Sequence, residues 1–227
     1  MTKKERALEA VRRLKEIYPM SDCTLEYDQP YRLLIAVRLA AQCTDARVNQ
    51  ITPILFERFP TLESLADADP KDVEAIVRPC GLGKTKARDI VSLCGMLIDQ
   101  YDSQVPDSLE ELLKLPGVGR KTANLIVGDV FGKPAIVTDT HCIRLSYRIG
   151  LTERKEPVKV EMALRKIIPP EESNNFCHRL VNFGRDVCNA RSPKCEGCPL
   201  ADICKKTDVE KKPAKKPAAK KAAAPAV

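Results

Sequence analysis

Apolar positions recur along most of this chain at the three- and four-residue spacing of helices that bury one face. Leu109, Leu112, Leu113 and Leu115 make one such set, ended by Pro116, and Ala123, Leu125, Ile126 and Val130 make the next. Tyr31 to Cys43 and Glu161 to Ile168 also fit buried or amphipathic helices, whereas alternating β-branched runs are few. The pattern predicts an all-α fold with low strand content. No apolar run reaches the ~18 residues that a membrane span needs, and Lys3-Lys4-Glu5-Arg6 leads into amphipathic sequence, not a signal-peptide core. The chain is therefore expected to be intracellular, with no membrane partner.

The two helical sets around Pro116 are joined by Leu115-Pro116-Gly117-Val118-Gly119-Arg120-Lys121, which reads as helix, tight hairpin, helix. Gly117 and Gly119 permit torsions that a side chain penalises, so unpaired amides at the second helix's N-terminus can face an anion such as a phosphate. Lys121 adds chemistry. An amine is a nucleophile only when neutral, and a helix N-terminus, a neighbouring cation such as Arg120 and partial burial all favour the neutral form. Such a lysine suits a Schiff base. The same residues also fit a plain structural turn followed by a solvated first-turn lysine, and the hairpin alone does not choose between them.

With 227 residues, 44% of them hydrophobic and none tryptophan, the chain can build one large or two small domains. Its formal net charge of +7 sits mostly at the end, where from Lys205 onward 8 lysines face only Asp208 and Glu210. The Lys/Ala/Pro-rich segment 207–227 has little apolar material to bury and predicts a disordered basic tail, either an arm for nucleic-acid backbones or a solubilising end. Inside the body, residues 31–115 hold 10 basic and 13 acidic groups, against 14 and 10 in residues 116–204. A basic face is expected to begin at the hairpin.

Ten cysteines in an intracellular chain argue for metal wherever they cluster. Cys188, Cys195, Cys198 and Cys204 do so, separated by six, two and five residues. Cys23, Cys43, Cys80, Cys94, Cys142 and Cys177 are scattered among apolar neighbours and are expected in the core. Zinc sites usually show two close pairs and this cluster has one, whereas four thiolates in a compact loop suit a [4Fe-4S] cube; spacing favours iron–sulfur and leaves zinc open.

Ala41-Gln42-Cys43-Thr44-Asp45, Cys80-Gly81-Leu82, the hairpin with Lys121, Thr138-Asp139-Thr140-His141 and the four clustered cysteines together resemble the endonuclease III family, in the helix-hairpin-helix superfamily of DNA glycosylases. The resemblance runs from Leu33 to Cys204 and implies a bifunctional DNA glycosylase and abasic-site lyase of base excision repair. It implies a [4Fe-4S] cluster on Cys188, Cys195, Cys198 and Cys204. Lys121 would be the nucleophile that attacks C1′ of a damaged nucleotide, and Asp139 the carboxylate that assists it; Asp139 also fits the cap of a helix starting near His141. Gln42 and Leu82 match the residues that fill the gap left by an extruded nucleotide. Gly117, Val118, Gly119 and Arg120 would grip the DNA backbone, with Arg191 and Lys194 reaching phosphates from the cysteine loop. Asp45 is placed near the pocket, and His141 reads as a hydrogen-bonded structural residue.

The same resemblance implies two lobes: a six-helix domain over residues 23–133, with the helix-hairpin-helix at about 109–130, and a discontinuous iron–sulfur cluster domain of residues 1–22 and 134–206. The partner would be double-stranded DNA with damaged bases, oxidised pyrimidines above all, or abasic sites. The protein would act as a monomer in the cytoplasm, at the nucleoid. Two rivals remain. An adenine-specific mismatch glycosylase shares the hairpin and cluster, but lacks the lysine and carries a glutamate where this chain has Val37. A non-enzymatic helix-hairpin-helix DNA-binding protein would leave Lys121 and Asp139 unexplained.

Overall fold

The computed structural model describes residues 1–209, so all but the first three residues of the predicted basic tail lie outside the described residues. Among the described residues the fold is all-α, with no strand. The helices are α1 (Lys3–Ile17), α2 (Pro30–Ala40), α3 (Asp45–Arg58), α4 (Leu62–Ala66), α5 (Pro70–Val77), α6 (Gly83–Tyr101), α7 (Leu109–Leu112), α8 (Arg120–Asp129), α9 (Thr140–Ile149), α10 (Pro157–Arg165) and α11 (Ser173–Asp186). Local sequence sets their starts. Thr2 and Glu5 form a capping box on α1, Thr44 caps α3, and Asp69 followed by Pro70 opens α5.

The helix expected to run to Leu115 is shorter. α7 stops at Leu112, after which Lys114 N donates to Glu111 O at 3.0 Å and Leu115 N to Leu112 O at 3.2 Å, the tighter i→i−3 pattern. Pro116 is the cause, since it disfavours α-helical torsions at Leu115 and offers no amide.

α2 lies at the centre of one helix group and is buried from Leu33 to Val37. It packs on α3, α6 and α8, while α4 and α5 pack on α6, and α7 on α8. This stretch holds seven α-helical segments, two of them only four and five residues long. A second group joins α9, α10 and α11, and α1 packs on α11 although far from it in sequence. Arg6 of α1 reaches the carbonyl of Ile203 at 2.8 Å, and Arg13 pairs with Asp202, so the N-terminal helix is tied to the cysteine loop's far end.

The groups meet where α8 touches α11 and where the fully buried Glu161 of α10, already paired with Arg165 of its own helix, receives Arg120 of α8. The predicted tail boundary moves: Thr207 donates to Arg148 O and Asp208 pairs with Lys155 at 2.6 Å, so the first tail residues are fastened to the second group.

Candidate active site

The hairpin is pinned by its apolar residues and opened by its glycines. Leu115 and Val118 are buried, and Val118 N closes the loop on Leu115 O at 3.2 Å. The side chain of Val118, expected at DNA, thus faces the core. Gly117 has φ 73°, and a Cβ on it would lie 2.8 Å from Arg38 Nε, a guanidinium held by Asp89 at 2.6 Å. Glycine is required there for torsion and for room. Gly119 is extended, with nothing within 4 Å of its Cβ position. Beyond it the amides of Arg120, Lys121 and Thr122 have no intrahelical acceptor, because the first helical bond runs from Ala123 N to Gly119 O.

Arg120 and Lys121 are held differently. The Arg120 guanidinium, expected at the DNA backbone, donates to Glu161 through Nε at 2.6 Å and Nη2 at 3.0 Å, a carboxylate it shares with Arg165. Lys121 is exposed, not partly buried, because the buried face of α8 begins at Ala123.

A cleft of about 240 Å³ collects Lys121 and Leu125 from α8, Val37 and Ala40 from α2, Asp45 from α3, and Asp139 and His141 at the start of α9. α11 supplies Cys177, His178, Asn182 and Arg185. Asp139 is the N-cap of α9: its Oδ1 accepts from Cys142 N at 2.7 Å, while its Oδ2 makes no hydrogen bond among the described residues. Capping thus uses one oxygen and leaves the other. His141 sits beside it within hydrogen-bond reach of Arg144 at 3.2 Å, and burial holds its pKa below the ordinary value. Asp45 accepts from Thr24 Oγ1 at 2.6 Å and faces Arg185 at 3.3 Å, an ion pair that bridges the two helix groups. Val37 leaves the cleft wall apolar at its position.

Sequence reasoning missed the α11 wall. Its signal was available: His178, Asn182 and Arg185 recur at four- and three-residue spacing along α11. Cys23 and Cys43, expected in the core, are only partly buried and line the cleft, because each sits in a loop beside it; burial still pushes the Cys23 thiol up to about 11. Cys80, Cys94, Cys142 and Cys177 are buried.

Gln42 and Leu82 share a rare backbone state. Gln42 has φ 59° and Leu82 φ 53°, left-handed torsions that side chains avoid, and both side chains are exposed. Leu82, 53% exposed, lies between Gly81 and Gly83 at the start of α6. An exposed leucine in a strained turn is a candidate for contact with something outside the chain.

The four clustered cysteines are free and partly buried. Arg148, itself buried, donates to the carbonyls of Asn189 at 2.8 Å and Ala190 at 2.7 Å, and to Cys188 Sγ at 3.4 Å; Lys206 N points at Cys204 Sγ. Four free thiols, two of them facing cationic or amide donors, suit an anionic iron–sulfur cluster. Arg191 and Lys194 of the same loop are exposed.

Known proteins match along the same residues. The HhH-GPD superfamily of base excision DNA repair proteins matches residues 35–170, and the iron–sulfur binding domain of endonuclease III matches residues 188–204. Endonuclease III of Synechocystis is 45% identical over 89% of this chain and 93% of its own length, and that of Bacillus subtilis 41% identical over 85% and 89%. A solved non-covalent endonuclease III–DNA complex is 44% identical with a TM-score of 0.85, covering 91% of this chain and 97% of that one. A thermostable thymine-DNA glycosylase, 22% identical with a TM-score of 0.78, shares the fold. Since the hairpin, the cleft aspartate and the cysteine loop all fall inside these matches, the chain belongs to the endonuclease III family, base excision repair DNA glycosylases that carry an iron–sulfur cluster.

Proposed function

We propose that this enzyme removes oxidised pyrimidines from duplex DNA and then cleaves 3′ to the abasic site by β-elimination through a Schiff base on Lys121. The observation that carries the reading is one cleft in which an exposed lysine from a helix N-terminus meets a carboxylate with a free oxygen. Breaking an N-glycosidic bond builds positive charge on the sugar, which the Asp139 carboxylate offsets. Lys121 Nζ bonds to C1′ as the base departs with the bond's electron pair, and ring opening with proton loss yields the imine. The imine acidifies C2′–H; its loss expels the 3′ phosphate, and hydrolysis frees the lysine. The hairpin amides hold a backbone phosphate. Gln42 and Leu82 fill the gap left by the extruded nucleotide, and Arg191 and Lys194 approach flanking phosphates.

A second solved relative, with the same 44% identity, is a trapped endonuclease III–DNA covalent intermediate, which supports the covalent step. The cysteine loop would hold a [4Fe-4S] cluster, whose role here is to fold that loop. The two helix groups would be the two lobes around the DNA, and the protein would work as a monomer in the cytoplasm, at the nucleoid. No described helix is long and apolar enough to cross a membrane.

Incubation with abasic or thymine-glycol duplex and borohydride should give a covalent protein–DNA adduct. Its absence with a cluster-loaded protein would refute the lyase reading.

A further inference from the structure

Lys86 has no exposed surface, lies in the first turn of α6, and has no part in the chemistry above. Its Nζ donates to Leu39 O at 2.7 Å and to Cys80 O at 2.8 Å. Leu39 stands shortly before Gln42, and Cys80 shortly before Leu82. Both carbonyls belong to helix ends: α2 stops at Ala40, where Cys43 N turns back to Ala40 O, and the 3₁₀ turn Arg78–Cys80 gives way to Gly81. One ammonium thus caps two C-terminal ends, where cations are favoured. Lys86 also holds Leu82 from the other side, since its own amide donates to Leu82 O at 3.0 Å. Burial lowers its pKa, opposed by the Cys80 and Cys43 thiols. Even a neutral amine keeps two N–H donors for the two carbonyls, so the link does not depend on protonation.

We propose that Lys86 is the positioning residue that fixes the two inserting loops to each other, so that Gln42 and Leu82 enter duplex DNA as one unit. The inference rests on the proposed insertion by those two residues. Left-handed torsions at non-glycine residues persist only where the surroundings enforce them, and Lys86 is the group that touches the base of both turns.

The test is the ratio of borohydride-trapping rates on abasic duplex and abasic single strand. A single strand needs no extrusion, so a residue that serves insertion changes the ratio, whereas a merely structural residue changes both rates alike. Lys86→Met should lower the ratio ~10-fold or more, the scale of a lost hydrogen bond to a charged group. It should add little once Gln42 and Leu82 are both alanine, and Lys86→Gln, which keeps two N–H donors, should recover part of the loss. A wild-type ratio in a folded Lys86→Met, or its full effect on top of the double alanine, overturns the proposal. If the double alanine itself keeps the wild-type ratio, the insertion assignment fails first and takes the proposal with it. Should no Lys86 variant fold, Gln42→Ala and Leu82→Ala decide in the native background, where coupled loops give non-additive effects and strict additivity refutes the link.

Discussion

The hairpin of residues 115–121 and the loop of residues 188–204 are both short, irregular and functional, and they are held in opposite ways. Leu115 and Val118 anchor the hairpin in the adjacent core, and its two glycines shape it, so its geometry is set largely by its own residues, with Arg38 and Asp89 crowding Gly117 from outside. The cysteine loop buries only Leu200 and Ile203 within its bounds and depends on Arg148, Arg144 and α1 from elsewhere in the chain, as well as on its cluster. A residue at the hairpin's outer face can therefore be changed with little cost to folding. A residue that supports the cysteine loop cannot.

Lys121→Gln should give the largest effect and the clearest contrast. We expect base excision coupled to strand cleavage to fall ~10³-fold or more, with covalent trapping lost, as for removal of a nucleophile. Thermal stability should stay within ~0.5 kcal/mol, because the side chain is exposed. A collapse in melting temperature would show that the two regions are not so different.

Arg148→Met should behave in the reverse sense. Removing donors from two carbonyls and a sulfur in a buried setting should cost about 3 kcal/mol and bleach the brown iron–sulfur absorbance, as Cys188→Ser should also do. A brown, stable Arg148→Met protein would mean that the cluster alone organises the loop.

Asp139→Asn separates cap from chemistry. Asparagine caps as well as aspartate, so stability should change by only a few tenths of a kcal/mol. Base release, followed by single-turnover assay, should slow ~10²-fold if a carboxylate offsets charge on the sugar. Equal loss of stability and rate would return Asp139 to a purely structural role.

The smallest effects divide the hairpin's glycines. Gly117→Ala should cost ~1–2 kcal/mol, since it forces a side chain into left-handed torsions and against Arg38. Gly119→Ala should be neutral or stabilising by up to ~1 kcal/mol in melting experiments, yet weaken DNA binding by placing a methyl before the free amides. Equal stability losses at the two positions would contradict the difference in their surroundings.

The contrast between the regions also explains what could be read from the chain before its fold was known. Pro116, Gly117 and Gly119 act within a few residues, so helix, turn and helix were legible, although Pro116 also shortened α7 in a way that leucine spacing did not reveal. The cysteine spacing pointed to metal because ligands to one cluster lie close in sequence. That the Arg120 guanidinium pairs with Glu161 could not be read from the sequence, because Glu161 lies on another helix group. Lys86 and Arg148 carry no mark in the sequence, since their acceptors are mainly backbone carbonyls.

The helical periodicity, the hairpin, the thiol cluster and the types of residue available for chemistry are properties of the sequence itself. They depend on torsional preference and on neighbours a few positions apart. The tertiary structure alone brought Lys121 to Asp139 in one cleft, turned Arg120 towards Glu161, added the α11 wall and joined the Gln42 and Leu82 loops through Lys86. Those relations depend on packing between helices distant in sequence, where a buried charge must find whatever acceptor the fold brings to it.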